Sequence, residues 1–169
     1  MFFAAFRWHL GPHTAAIIGG IGGGGLVVGV GNAAKALKPN IKVFGAEPET
    51  AAPTALSFKM GSAQAFTGWQ PSFVEGAGGQ SVFLRMWERK QRVVDGSIVV
   101  SPNETKDAMR LMAEKVRIIS EGAGALALAA ALSGRAGEGP IVAIVSSGNI
   151  DLKTFCYLTG PAVRLAFRL

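Results

Sequence analysis

The residue pattern predicts an α/β fold in which an open, mostly parallel sheet carries helices on both faces. Three observations lead there. An apolar, strand-like run at 15–18 passes through four consecutive glycines, Gly22, Gly23, Gly24 and Gly25, into an apolar helix-like run at 26–37. A second strand-like run at 42–46 follows the Lys38-Pro39-Asn40 stop, which makes a βαβ unit with a right-handed crossover. A β-branched run at 141–145 ends in Ser146-Ser147-Gly148-Asn149, as the second run ends in Glu47-Pro48-Glu49. Parallel sheets place their ligand loops at such strand ends.

The elements between these landmarks follow in order. Residues 51–60 suit a short helix, and 61–79 is a long connection rich in Gly, Ser and Gln. A helix over 81–92 would place Val82, Phe83, Met86 and Trp87 on one face, and 93–100 reads as a strand. Ser101-Pro102-Asn103-Glu104 is the clearest local signal, with a serine N-cap, proline at the first helical position and glutamate closing a capping box. It starts a helix over 102–115 with Ala108, Leu111 and Met112 inward. The Ala/Leu stretch 126–132 is apolar all round, which predicts a helix buried between layers, and 134–140 is a turn. The expected organisation is an irregular segment at 1–13, one α/β domain at 14–155 and an irregular segment at 156–169.

Composition narrows the function classes. The 169 residues are 49% hydrophobic, enough for a core, and 17 Lys+Arg against 11 Asp+Glu give a net charge of +6. Basic residues are not clustered with aromatics, so nucleic acid is not an expected partner. Residues 14–34 carry no charge over 21 positions, but eight of them are glycine, each costing about 1 kcal/mol in a helix relative to alanine, so no membrane span is expected. Residues 1–10 lack the layout of a signal peptide. Cys156 is the single cysteine, which rules out an internal disulfide and makes a reducing, cytoplasmic setting the default. His9 and His13 have no partner at metal-ligand spacing.

The glycines carry the chemistry. A loop without side chains lets successive backbone N–H groups converge on an anion, and the helix that follows adds the positive end of its dipole. One phosphate could be held there without a lysine. The stretch Gly20-Ile21-Gly22-Gly23-Gly24-Gly25 also satisfies GxGxxG, with Glu47 lying 22 residues beyond Gly25 where a dinucleotide fold puts its ribose-binding acid. An NAD(P)-binding domain is therefore an alternative, although a near-continuous glycine run satisfies that pattern easily.

Several segments together point elsewhere: the glycine loop with Leu26, Lys35-Ala36-Leu37-Lys38-Pro39, Phe44-Gly45-Ala46-Glu47-Pro48-Glu49, Phe73-Val74-Glu75-Gly76, Glu121-Gly122-Ala123-Gly124-Ala125 and Ser146-Ser147-Gly148-Asn149. In this order, over 15–155, the chain resembles the threonine/serine dehydratase group of fold-type-II pyridoxal-phosphate enzymes. The resemblance implies the large domain of such an enzyme, a lyase acting on an amino-acid substrate by β-elimination to a 2-oxo acid and ammonia. It implies pyridoxal phosphate as cofactor, its phosphate held by Gly22, Gly23, Gly24, Gly25 and the Leu26 N–H. Ser146 stands where the family's serine donates to the pyridine nitrogen; a hydroxyl does not hold that nitrogen protonated, which favours elimination over reactions needing a long-lived carbanion. Ser147 replaces a usual glycine. Glu121 matches an acid near the ring, and Gly76 belongs to the segment lining the ring's other side. Glu47 and the Ala51 carbonyl match part of a divalent-cation site in some relatives, with Pro53 where those relatives offer a carboxylate.

No lysine matches the family's Schiff-base residue, which lies before the glycine loop; the first lysine here is Lys35. The resemblance therefore implies no catalytic residue in this chain, a truncated or partial sequence, and an isolated chain without turnover. It also implies a homo-oligomer or association with the missing N-terminal half. A serine or threonine racemase relative, or a non-catalytic fragment, remains open at this stage.

Overall fold

The structure, a computed structural model, describes residues 11–160. Four strands form one sheet: β1 (Ala16–Gly20), β2 (Lys42–Pro48), β3 (Gly96–Val100) and β4 (Ile141–Ile144). Their order is β3-β2-β1-β4, and every pairing is parallel. Six helices complete the described residues: α1 (Gly25–Leu37), α2 (Pro53–Met60), α3 (Leu84–Val93), α4 (Pro102–Val116), α5 (Gly122–Leu132) and α6 (Leu152–Thr159).

β1 is paired on both edges, by β2 and β4, and covered on both faces by helices, so its sequence is apolar without alternation. Adjacent side chains feed opposite layers. Ile17 packs with Val27 and Val28 of α1 and Val93 of α3, whereas Ile18 packs with Met109 of α4 and Leu126 of α5. The strand runs two residues past the expected end, because Gly19 pairs with Gly45 and Ile144 and Gly20 pairs with Ala46. Gly19, of poor strand propensity, is held there by two ladders at once, and Gly20 by the β2 ladder alone.

The expected capping box is present. The Ser101 hydroxyl accepts from the Glu104 N–H at 3.2 Å, and the Glu104 carboxylate accepts from the Ser101 N–H at 2.7 Å. The buried stripe of α4 is Thr105, Ala108, Met109 and Met112; Leu111 is half-buried on its flank, so Met109 takes the place expected of it. α5 buries almost its whole circumference against the sheet and α4.

Three boundaries differ from expectation. α3 begins at Leu84, with Phe83 as its N-cap and 73% exposed rather than on the inward stripe, which is Trp87, Lys90 and Val93. Val93 and Val94 end α3 and pack against α1, so β3 starts only at Gly96. α6 continues through Thr159, its first turn capped by the Asp151 carboxylate on the Thr154 N–H at 2.9 Å. Residues 156–159 are thus helical rather than irregular. The expected irregular segments otherwise fall largely on 1–10 and 161–169, outside the described residues. No helix among the described residues is long and apolar enough to cross a membrane.

Candidate functional site

The carboxyl end of β1 turns through the glycines into α1. Ile21 donates its N–H to Ala46 O at 2.9 Å, and its carbonyl accepts from the Gly78 N–H at 2.9 Å, which anchors the loop to the long connection. Gly24 is the N-cap of α1 at φ 98°, a left-handed conformation that side chains disfavour. The first backbone bond of the helix runs from the Val28 N–H to Gly24 O at 3.1 Å. No protein acceptor among the described residues takes the N–H of Gly22, Gly23, Gly24, Gly25 or Leu26. Orphan donors at a helix start are the arrangement that can receive an anion.

The four glycines are not equivalent. A Cβ on Gly22 would lie 2.9 Å from Gly76 O, and one on Gly24 would lie 2.4 Å from the Lys90 Cε. Packing alone accounts for these two. Gly23 and Gly25 face open space, have no atom within 4 Å of such a Cβ, and avoid the left-handed region. The fold has no need of glycine at either position, whereas a ligand resting on the main chain does.

That open space is a cavity of about 290 Å³. It is lined by the glycine loop and Leu26 on one side, Gly76 and Ala77 on another, and Glu121, Ala123, Ser146 and Ser147 on a third. The structure therefore brings Gly22, Gly23, Gly24, Gly25, Leu26, Gly76, Glu121 and Ser146 to one place. Gly20, Ala123 and Ser147, members of the sequence motifs without an assigned role, join them, as does Ala77, whose small, uncharged side chain offered no signal in the sequence.

The serine loop is set by α5. The Glu121 N–H donates to Ser147 O at 3.4 Å, and a Cβ on Gly124 would stand 2.3 Å from that same oxygen. The close backbone approach is thus provided by Gly124, and Ser147 needs no glycine's geometry. Glu121 occupies the N-cap position of α5 without a side-chain cap bond; its carboxylate instead faces Gly76, where a Cβ would lie 3.0 Å from Oε1.

Glu47 lies elsewhere and is fully buried. Its Oε1 accepts from the Thr54 N–H at 2.8 Å; its Oε2 accepts from the Ala55 N–H and the Ser97 hydroxyl, each at 2.8 Å. The carboxylate caps the first turn of α2, whose N-cap Ala52 has no side chain to do so. This corrects both sequence expectations for Glu47. It is withdrawn from any ribose, which removes the acid of the dinucleotide alternative. It also does not fit a hard cation: its oxygens are committed, Ala51 is buried, Pro53 opens α2, and no group of three or more His, Cys, Asp or Glu suited to a metal occurs among the described residues. Sequence reasoning missed Lys90, which is 1% exposed and donates from Nζ to the Thr54 hydroxyl at 2.7 Å. Burial pulls its pKa below the usual lysine range, opposed by the charge of Glu47. Its spacing three residues after Trp87, on the buried stripe, was the available signal.

Fold and site define a parallel α/β domain with a cavity between a glycine loop of unpaired amides, at the carboxyl end of β1, and a serine loop. The model of the pyridoxal-phosphate dependent enzyme family matches residues 5–147, reaching further toward the N-terminus than the motifs did. The chain belongs to this family. It is 33% identical to an L-threonine ammonia-lyase of Thermotoga maritima over 83% of this chain and 35% of that protein. It is 38% identical to a serine racemase of Oryza sativa subsp. indica over 83% of this chain and 43% of that one. Among solved structures, the processed form of threonine deaminase isoform 2 from Solanum lycopersicum matches with a TM-score of 0.82 at 28% identity, covering 94% of this chain and 48% of that one. Serine racemase from Dictyostelium discoideum matches with a TM-score of 0.76 at 33% identity, covering 89% and 49%. The chain spans less than half the length of each of these relatives.

Proposed function

We propose that this chain is the cofactor-phosphate-binding half of a pyridoxal-phosphate-dependent threonine/serine dehydratase, an ammonia-lyase that eliminates the β-hydroxyl of a hydroxy-amino acid. The observation that carries the reading is the pair Gly23 and Gly25, cavity-lining glycines that neither packing nor backbone conformation requires and that a ligand resting on the main chain would. The orphan amides of the loop and the α1 dipole bind the phosphate. The Ser146 hydroxyl would donate to the pyridine nitrogen, and Gly76, which lines the same cavity, would leave room for the ring. The bound cofactor supplies the electron sink for charge left on the α-carbon when its proton is removed.

None of the cavity-lining residues is a lysine. The base and covalent anchor therefore come from a segment outside this sequence or from a separate chain, and the whole enzyme is an assembly of the two. Exposed Phe83 and Leu84, at 73% and 66%, give apolar surface for such association or for a second copy. A racemase is the second reading, favoured by the 38% identity to the rice serine racemase.

Titration of the purified chain with pyridoxal phosphate, pyridoxal and NAD, followed by cofactor fluorescence and thermal protection, tests the proposal. Pyridoxal phosphate should bind and protect, and NAD should not; protection by NAD alone would refute it. Threonine or serine added to the loaded chain should yield no 2-oxo acid, and robust turnover would show that the lysine is not missing. Once the lysine-bearing portion is supplied, D-serine in excess of pyruvate would select the racemase reading.

A further inference from the structure

We infer that Lys90 is a resident counter-charge to the buried Glu47 carboxylate, acting across Thr54 rather than by direct ion pairing and supplying the positive charge that a divalent ion would otherwise bring there. The two charged groups share one residue. The Thr54 hydroxyl accepts from the Lys90 Nζ at 2.7 Å, while the Thr54 N–H donates to the Glu47 Oε1 at 2.8 Å. Glu47 is 0% exposed and Lys90 1%. The other donors to the carboxylate, the Ala55 N–H and the Ser97 hydroxyl, are neutral. A buried carboxylate surrounded by neutral donors needs a counter-charge, and Lys90 reaches in from α3 to provide it.

The position of the ammonium gives it a second consequence. Its stem runs against the back of the glycine loop, where a Cβ on Gly24 would lie 2.4 Å from Cε and 3.2 Å from Nζ. One lysine thus joins α3, the start of α2, the end of β2 and the N-cap of α1. An imported metal would find the carboxylate oxygens taken and a positive charge already present. This assignment holds whether or not the cradle binds the cofactor, and its tests require none.

Two measurements decide it. Calorimetric titration of the wild-type chain with Mg²⁺, Ca²⁺ and Mn²⁺ should give no specific binding heat, and its Tm should agree within about 1 °C in millimolar cation and in EDTA. Saturable divalent binding that raises Tm would overturn the inference. In a double-mutant cycle, Lys90→Met should shift the unfolding equilibrium about tenfold more in the Glu47 background than in Glu47→Gln. Additive effects would show that the two charges are uncoupled and would also overturn it. Should Lys90→Met fail to fold, the wild-type cation titration still decides between the outcomes. If pyridoxal phosphate fails to bind while the cation titration and the cycle come out as expected, only the proposed function falls.

Discussion

Replacing each glycine of the cradle by alanine should separate folding from binding. At Gly23 and Gly25 the added methyl meets open space and an allowed backbone, so its main effect on stability is to restrict the unfolded chain. Each variant should gain about 0.4–1 kcal/mol. At Gly24 the left-handed φ costs about 1–3 kcal/mol. The methyl would also displace the buried stem of Lys90 and its bond to Thr54, a further ~1.5–3 kcal/mol. A loss of about 2.5–6 kcal/mol is a large part of the ~5–15 kcal/mol that holds a typical domain together. Binding should run the other way at the open positions. A methyl between the amides and a phosphate removes one or two charge-assisted hydrogen bonds, weakening pyridoxal phosphate about 10- to 100-fold. Urea denaturation and cofactor titration on the same preparations measure both quantities. Unchanged affinity in Gly23→Ala and Gly25→Ala together would refute the argument that these glycines are there for a ligand.

Further expectations follow from the packing around the site. Gly124→Ala would drive a methyl to 2.3 Å from Ser147 O, so the serine loop must shift; stability should fall by about 1–3 kcal/mol, and the absorbance of bound cofactor should change as Ser146 leaves the ring. Asp95 pairs with Lys35 at 2.9 Å and Lys42 at 3.3 Å and accepts from the Val43 N–H at 2.9 Å. Burial raises its pKa, but these partners outweigh burial and hold it below the ordinary aspartate range. Its contribution is therefore present at neutral pH and lost as pH falls below about 4 toward the folded value. Asp95→Asn should cost about 1–2 kcal/mol at pH 7, and its denaturation midpoint should converge on that of the wild type in acid.

Much of the site was legible because its chemistry is local. Four adjacent glycines between a strand and a helix, Ser146 at a strand end and Glu121 before an Ala/Leu helix are features of neighbouring residues, and all reach the same cavity. The capping box at Ser101 was equally plain, since both of its bonds join residues three apart. The misread positions were those whose partners are distant along the chain. Glu47 looked like a ligand-binding acid at a strand end until Ser97, 50 residues away, and the start of α2 were brought to it. Phe83 looked like part of an apolar stripe, but the start of α3 at Leu84 turns it to solvent.

Periodicity, turn chemistry and the glycine run sufficed for the α/β architecture, the order of its elements and the location of the glycine-loop cavity, because these depend on residues within a turn or two of one another. Long-range packing settled which charges are buried, which of the four glycines the fold itself requires, and that Lys90 faces Glu47 through Thr54. Desolvation and steric contact depend on what lies across the core, and no local pattern encodes that neighbour.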